Sequence, residues 1–141
     1  MGDWYVIAHL PVFIEKNAHN AVENYALRAD GAIATTFTFN AGAPGGPRRA
    51  YHPVGYVRNR ATNAEWGMQF IWPFKATYLI VYLDDAYETT IISVPDRRYA
   101  WVMARTPEIS AEHYAAMVHI LRETGHDLTR LRRVPQAPHG R

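Results

Sequence analysis

Side chains suited to bond-making are scarce in this sequence, and those present are poorly spaced for it. The two serines, Ser93 and Ser110, stand outside any G-x-S-x-G nucleophile elbow, and no glycine-rich phosphate loop follows a strand-like run. The absence of cysteine removes disulfides, thiolate metal sites and cysteine nucleophiles. The seven histidines, His9, His19, His52, His113, His119, His126 and His139, show no H-x-x-x-H or other ligand spacing. They are therefore expected to be solvated surface groups, and no metal or other cofactor is expected. Asp84 and Asp85 are adjacent carboxylates in a short turn, where fixing the backbone is a better use of them than acid–base work.

What recurs is the chemistry of apolar recognition. Ile33, Thr35, Phe37 and Phe39 alternate with smaller or polar residues, as do Trp66, Met68 and Phe70, then Tyr78 and Ile80, then Trp101, Met103 and Arg105. Residues two apart on an extended strand share a face. A face of this kind is either solid core or the wall of a small-molecule pocket.

Strands are needed to position those faces. Aromatic and β-branched residues alternate with polar ones between turn signals along most of the chain, which predicts eight strands: Trp4–Leu10, Asn20–Arg28, Ala32–Asn40, Ala50–Val57, Glu65–Ile71, Ala76–Leu83, Tyr87–Val94 and Arg98–Arg105. After Arg105 the period changes from two to 3.6. Ser110 can cap a helix over about 110–124 in which Tyr114, Met117, Val118 and Leu121 share one face, and Gly125 can end it. That helix is expected outside the sheet. Leu131–Val134 reads as a short extra strand within a C-terminal segment of about 129–141.

The connections differ in kind. Pro11–His19, Ala41–Arg49 and Trp72–Lys75 are long or proline-bearing, whereas Ala29–Gly31 and Asp84–Ala86 are tight. In an up-and-down meander successive links fall at opposite ends, so the long links gather at one rim and the tight ones at the other. Eight strands of this length can close into an antiparallel barrel with room for one small ligand. At 141 residues the chain fits a single domain spanning 1–141, with the barrel over about 2–105. The formal net charge is only +2, with Arg130, Arg132, Arg133 and Arg141 clustered at the end, a weak pattern for nucleic acid. No apolar run approaches the ~20 residues of a membrane span.

Three motifs in order then carry a resemblance. Gly2-Asp3-Trp4-Tyr5 matches a G-x-W signature on the first strand, and Leu83-Asp84-Asp85-Ala86-Tyr87 resembles the Thr-Asp-Tyr-like turn of the same family. Pro95 to Pro107 looks like the last barrel strand of the bacterial lipocalins of the Blc type, relatives of apolipoprotein D, and Tyr25 to Gly31 and Trp72-Pro73-Phe74 are similar to that subfamily. The chain is thereby identified as a member of the lipocalin family, which implies an all-β, eight-stranded up-and-down antiparallel barrel with one C-terminal helix outside. Within that pattern Trp4 and Arg105 match the family's tryptophan and arginine. With Gly2 and Asp84 they are implied to be structural residues at the pinched end, where a guanidinium stacked on an indole is worth ~0.5–2 kcal/mol.

The resemblance also implies binding, transport or storage of a small lipophilic ligand, with a fatty acid or a lysophospholipid as the expected partner. A chain of ~14–16 methylenes at ~0.8 kcal/mol each offers ~11–13 kcal/mol before association costs. The implied wall is Glu23, Tyr25, Thr35, Phe37, Phe39, Trp66, Met68, Phe70, Tyr78, Ile80, Trp101 and Met103, with Glu23, Tyr25 and Tyr78 inward near the open rim. A carboxylate there opposes a fatty-acid anion unless Glu23 is protonated, solvated or paired with Arg48 or Arg49, and suits a zwitterionic lysophospholipid better. An enzyme on the same scaffold, working through Glu23 and the barrel tyrosines on a lipophilic substrate, is the alternative. Phe13, Ile14, Trp72 and Phe74 on the long-link rim leave room for a lid, a peripheral membrane contact or a homodimer. Relatives of this type carry an export signal with a lipidated cysteine. The address is therefore periplasm or outer membrane if such a signal lies upstream of Met1, whereas the sequence as it stands reads as soluble.

Overall fold

The alternating pattern is realised as one antiparallel sheet that curls until its first and last long strands meet. A computed structural model describes residues 1–10, 17–58, 61, 62, 64–71 and 74–136, without the side chains of 70, 71, 74 and 75. The expectations placed on Phe13, Ile14, Phe70, Trp72, Phe74 and His139 lie outside the described residues and side chains. The elements are β1 (Gly2–Leu10), β2 (Ala18–Leu27), β3 (Ile33–Ala41), β4 (Arg48–Tyr51), β5 (Val54–Val57), β6 (Glu65–Ile71), β7 (Phe74–Leu83), β8 (Thr89–Ser93), β9 (Ala100–Ala104), helix α1 (Ala111–Glu123), a 3-10 turn (Leu128–Arg130) and β10 (Arg132–Arg133). β1 to β9 pair in sequence order, except that β4 and β5 both pair with β3; β9 closes on β1 from Tyr5↔Ala104 to Leu10↔Ala100, and β10 also pairs with β1. Among the described residues no long edge strand is left to template aggregation.

Strand ends shift by one or two residues along the chain, and two of the differences have a clear physical cause. The predicted fourth strand, Ala50–Val57, is split into β4 and β5 at His52–Pro53, because proline has no N–H to donate and restricts the residue before it. Both halves still pair with β3, and the Pro53 carbonyl accepts the Thr35 N–H across the break, so the two count as one barrel strand. The seventh strand starts at Thr89 rather than Tyr87. Tyr87 has φ +56°, a left-handed value that belongs to the turn.

Burial divides into two cores. Trp4, Val6, Tyr25, Ile33, Phe37, Phe39, Met68 and Trp101 lie with others inside the barrel, whereas Ile7, Ala8, Leu10, Ile91, Val102, Met117 and Leu121 lie with others between barrel and helix. A bulge in β1 between Val6 and Ala8 turns Ile7 and Ala8 toward the helix. The helix follows its sequence signals: the Ser110 hydroxyl accepts the His113 N–H, and Gly125, at φ +86°, lets the Gly125 and His126 N–H groups reach the carbonyls of Arg122 and Leu121. The last segment wedges between β1 and β2 where they splay. There Val134 N–H donates to the Ile7 carbonyl, and the Gln136 amide donates to the carbonyls of Val6 and Ala21.

The expectation of solvated histidines is corrected for two of them, His9 and His126, which are buried at 2% and 7% exposure. Two histidine contacts, one of them made by His126, help explain how α1 stays docked. His113 Nε2 lies 3.2 Å from the Thr89 hydroxyl and His126 Nε2 lies 2.8 Å from the Ser93 hydroxyl, so the outer face of β8 holds both ends of the helical segment. Burial, and to a lesser degree Arg97, hold His126 below its ordinary pKa despite the Leu121 carbonyl. The folded chain therefore takes up this proton less readily than the unfolded one. Its contribution to stability is complete above about pH 6.5 and lost as the pH falls below that value, with a slope of no more than ~1.4 kcal/mol per pH unit. Urea unfolding at pH 7.5 and 5.5 should show this loss, and His126→Gln should reduce it; an unchanged slope in the variant would remove His126 from the account.

Candidate functional site

At the tight-turn end the signature residues interlock. The Arg105 guanidinium lies 3.8 Å from the centre of the Trp4 ring, and its N–H groups donate to the carbonyls of Met1 (2.6 Å), Asp3 (3.0 Å) and Tyr87 (3.3 Å). Gly2 has φ +82°, and a Cβ there would stand 3.3 Å from Arg105 Nη1. Asp84 accepts the Glu88 N–H at 2.7 Å and the Thr89 hydroxyl at 2.8 Å. Slight burial raises its pKa, but these hydrogen bonds outweigh that effect and hold the carboxyl below its usual value. Asp84 thus fixes the turn and has no catalytic geometry of its own. Ser93 and His126, though within hydrogen-bond distance, are both buried under the helix segment and bind it to the barrel.

Of the residues expected to form the wall, Tyr25, Trp66, Ile80 and Met103 line the barrel cavity, whereas Glu23, Thr35, Phe37, Phe39, Met68, Tyr78 and Trp101 lie in the interior outside its lining. Tyr25, Thr35, Phe37, Phe39, Met68, Tyr78, Trp101 and Met103 are all buried, with Trp66 and Ile80 partly so. The rings pack against one another: Tyr25 edge-on to Trp66 at 5.3 Å, Tyr78 stacked with Trp101 at 5.2 Å, and Phe39 stacked with Tyr51 at 6.2 Å. Glu23 is nine-tenths buried and accepts the Tyr25 hydroxyl. Desolvation first, then the Glu23 charge and hydrogen bond, push the Tyr25 phenol well above its ordinary pKa, so it stays protonated.

The depth of this pair differs from expectation. Glu23 and Tyr25 face inward, but toward the tight-turn half rather than the open rim, because β2 descends to that end and Tyr25 is level with Gly2. Arg49, opposite Phe39 on β4, is exposed at the other end and two strands away from Glu23, which itself lies opposite Phe37. A cavity of about 500 Å³ occupies the tight-turn half, walled by Trp4, Tyr25, Trp66, Ile80, Ile92 and Met103 and bordered by Met1, Leu83, Tyr87 and Arg105. Its volume is that of an ordinary small-molecule pocket. Among the described residues no three His, Asp or Glu side chains converge as metal ligands, and no helix is long and apolar enough to cross a membrane.

A family model described as a lipocalin-like domain matches residues 1–136, nearly the whole chain. The chain belongs to the lipocalin family. Temperature-induced lipocalin-1 of Arabidopsis thaliana is 30% identical over 97% of this chain and 77% of its own length. The outer membrane lipoprotein Blc of Escherichia coli K12 is 28% identical over 92% of this chain and 73% of its own, so the resemblance to Blc-type bacterial lipocalins holds along most of the sequence. Among solved structures, lobster apocrustacyanin A1 superposes with a TM-score of 0.74 over 97% of this chain and 77% of its own, at 13% identity, a likeness of fold alone. Lipocalins bind small hydrophobic ligands, and the apolar interior of this one is consistent with that family trait.

Most of the other lining residues, Thr62, Ala64, Val81, Tyr82 and Thr90 among them, are not marked by the sequence pattern, and Ile92 and Trp4 show why. Ile92 was ambiguous because Ile91 beside it is equally apolar: one faces the barrel and the other the helix, so alternation gave no parity. Trp4 was assigned only a structural part, yet it both stacks under Arg105 and walls the cavity.

Proposed function

We propose that this lipocalin carries or stores a single-chain lipid, a fatty acid or a lysophospholipid, in its barrel, and that it does so without chemical turnover. The observation that supports this best is the cavity beneath Trp66 and Ile80, whose walls are aromatic and aliphatic with few polar groups. Of the two lipids, the lysophospholipid fits better, since the buried Glu23 carboxylate opposes a second carboxylate brought in by a fatty acid. Against an enzyme stands the protonated Tyr25, which donates to Glu23 and is held far from deprotonation. The names of the Blc relatives, outer membrane lipoproteins, support an address at a bacterial envelope.

Native mass spectrometry before and after delipidation, followed by titration with a lysophospholipid and a fatty acid of equal tail length, tests the reading. Trp4 and Trp66 border the cavity and should report entry by fluorescence. Saturable binding at one site per barrel is expected, with the lysophospholipid the tighter. A barrel without co-purified lipid and without a saturable response to either would be filled by its own side chains, and the carrier reading would fall.

A further inference from the structure

We infer that the cavity recognises an ammonium group, bound inward against Tyr25 with the Glu23 carboxyl behind it, and with the apolar part of the ligand running out toward the tight-turn rim. This rests on the carrier reading and names the chemical class of its ligand. Three independent features of the barrel point the same way.

The first is the inner wall. Trp4, Tyr25 and Trp66 border the cavity from β1, β2 and β6, with Tyr25 and Trp66 edge to face at 5.3 Å, so aromatic rings surround its inner part. Faces of this kind attract an alkylammonium, and a quaternary one as well as a primary one. The second is the charge behind that wall. The Tyr25 hydroxyl donates to the buried Glu23 carboxyl group, so a cation resting on Tyr25 lies close to an acid whose charged form it would stabilise. In a low-dielectric interior that charge favours a cation far more than it would in water, and disfavours an anion equally. A primary ammonium would also find the Tyr25 hydroxyl oxygen as an acceptor.

The third feature is the rim. Met1, Leu27, Leu83 and Tyr87 are the exposed large apolar side chains among the described residues, and all four stand at the tight-turn end. Met1, Leu83 and Tyr87 border the cavity itself, which gives the outer part of an alkyl chain apolar surface to lie on. Asp3, Asp30, Asp85, Glu88 and Glu108 stand at the same end, which adds long-range attraction for a cation. Of the cations there, Arg105 is stacked on Trp4 and holds three carbonyls, Arg28 is paired with Asp30 at 2.8 Å, Arg58 donates to the Thr77 hydroxyl, and burial and then Arg105 hold the Met1 amino group below its ordinary pKa.

Tryptophan-fluorescence titration with dodecylamine, dodecanol, dodecanoate and a dodecanoyl lysophosphatidylcholine, each below its aggregation limit, tests the inference. Dodecylamine should bind at least tenfold more tightly than dodecanoate and about fivefold more tightly than dodecanol. Glu23→Gln should bring amine and alcohol within about twofold of each other. The wild-type ranking stands on its own if the variant is unstable, and its advantage for the amine over the alcohol should shrink as salt is raised. Lysophosphatidylcholine as tight as the amine would make a zwitterionic lipid the source of the ammonium, whereas a clear preference for the amine would make it a free long-chain amine. Dodecanoate or dodecanol binding as tightly as the amine overturns the inference and leaves the carrier reading intact. If none of the four binds, dodecanol included, the carrier reading itself fails.

Discussion

Trp4→Ala should lower the unfolding free energy by about 3–5 kcal/mol, a large part of what holds together a domain of this size. Trp4 is buried to 5% exposure, so truncation removes most of an indole from the interior and leaves a cavity beneath the tight-turn end. It also removes the surface on which the Arg105 guanidinium lies. That guanidinium ties three backbone segments, Met1, Asp3 and Tyr87, so loss of its platform loosens the start of β1 and the β7–β8 turn together. Arg105→Lys separates the two effects: it keeps the charge but gives up the planar fork and the stacking, and should cost about 1–2 kcal/mol. Urea unfolding curves of the two variants measure both values. A Trp4→Ala loss below about 1 kcal/mol would mean that the interlocked end is ornament to the fold.

How much of this was legible in the sequence depends on what each residue's neighbours are. The inward faces of β3, β6, β7 and β9 could be read from Phe37, Met68, Tyr78 and Trp101 because a two-residue period has one phase per strand, and burial against a ligand space or a core selects it. β8 could not be read in this way. Its outer face is covered by α1, so Thr89, Ile91 and Ser93 are as buried as Thr90 and Ile92, and both phases look alike. The burial of His126 was hidden for a related reason: its partner, Ser93, is 33 residues away and is brought to it by the helix turning back on the barrel. The depth of Glu23, by contrast, had a signal. Tyr25 lies three residues before Arg28 and the tight turn, so the pair sits low in the barrel, whereas strand phase carried over from a family fixes which way a residue faces and not how deep it lies.

Ile80→Trp should weaken binding of a single-chain lipid about a hundredfold while leaving the barrel folded. Ile80 is partly buried on β7 and faces the cavity beside Trp66 and Ile92. An indole placed there has open space to enter, so the strain is smaller than the ~1–3 kcal/mol of overpacking a solid core. The same indole takes the room of about four ligand methylenes, and at ~0.8 kcal/mol each their loss is ~3 kcal/mol, somewhat over a factor of a hundred in Kd. Thermal unfolding and ligand titration of the one variant discriminate the two readings of the aromatic stripe. If the stripe is a wall, affinity falls and Tm moves by only a few degrees. If it is solid core, Tm falls steeply and no ligand affinity exists to be lost, because the residues that meet in the barrel would then be packed for each other.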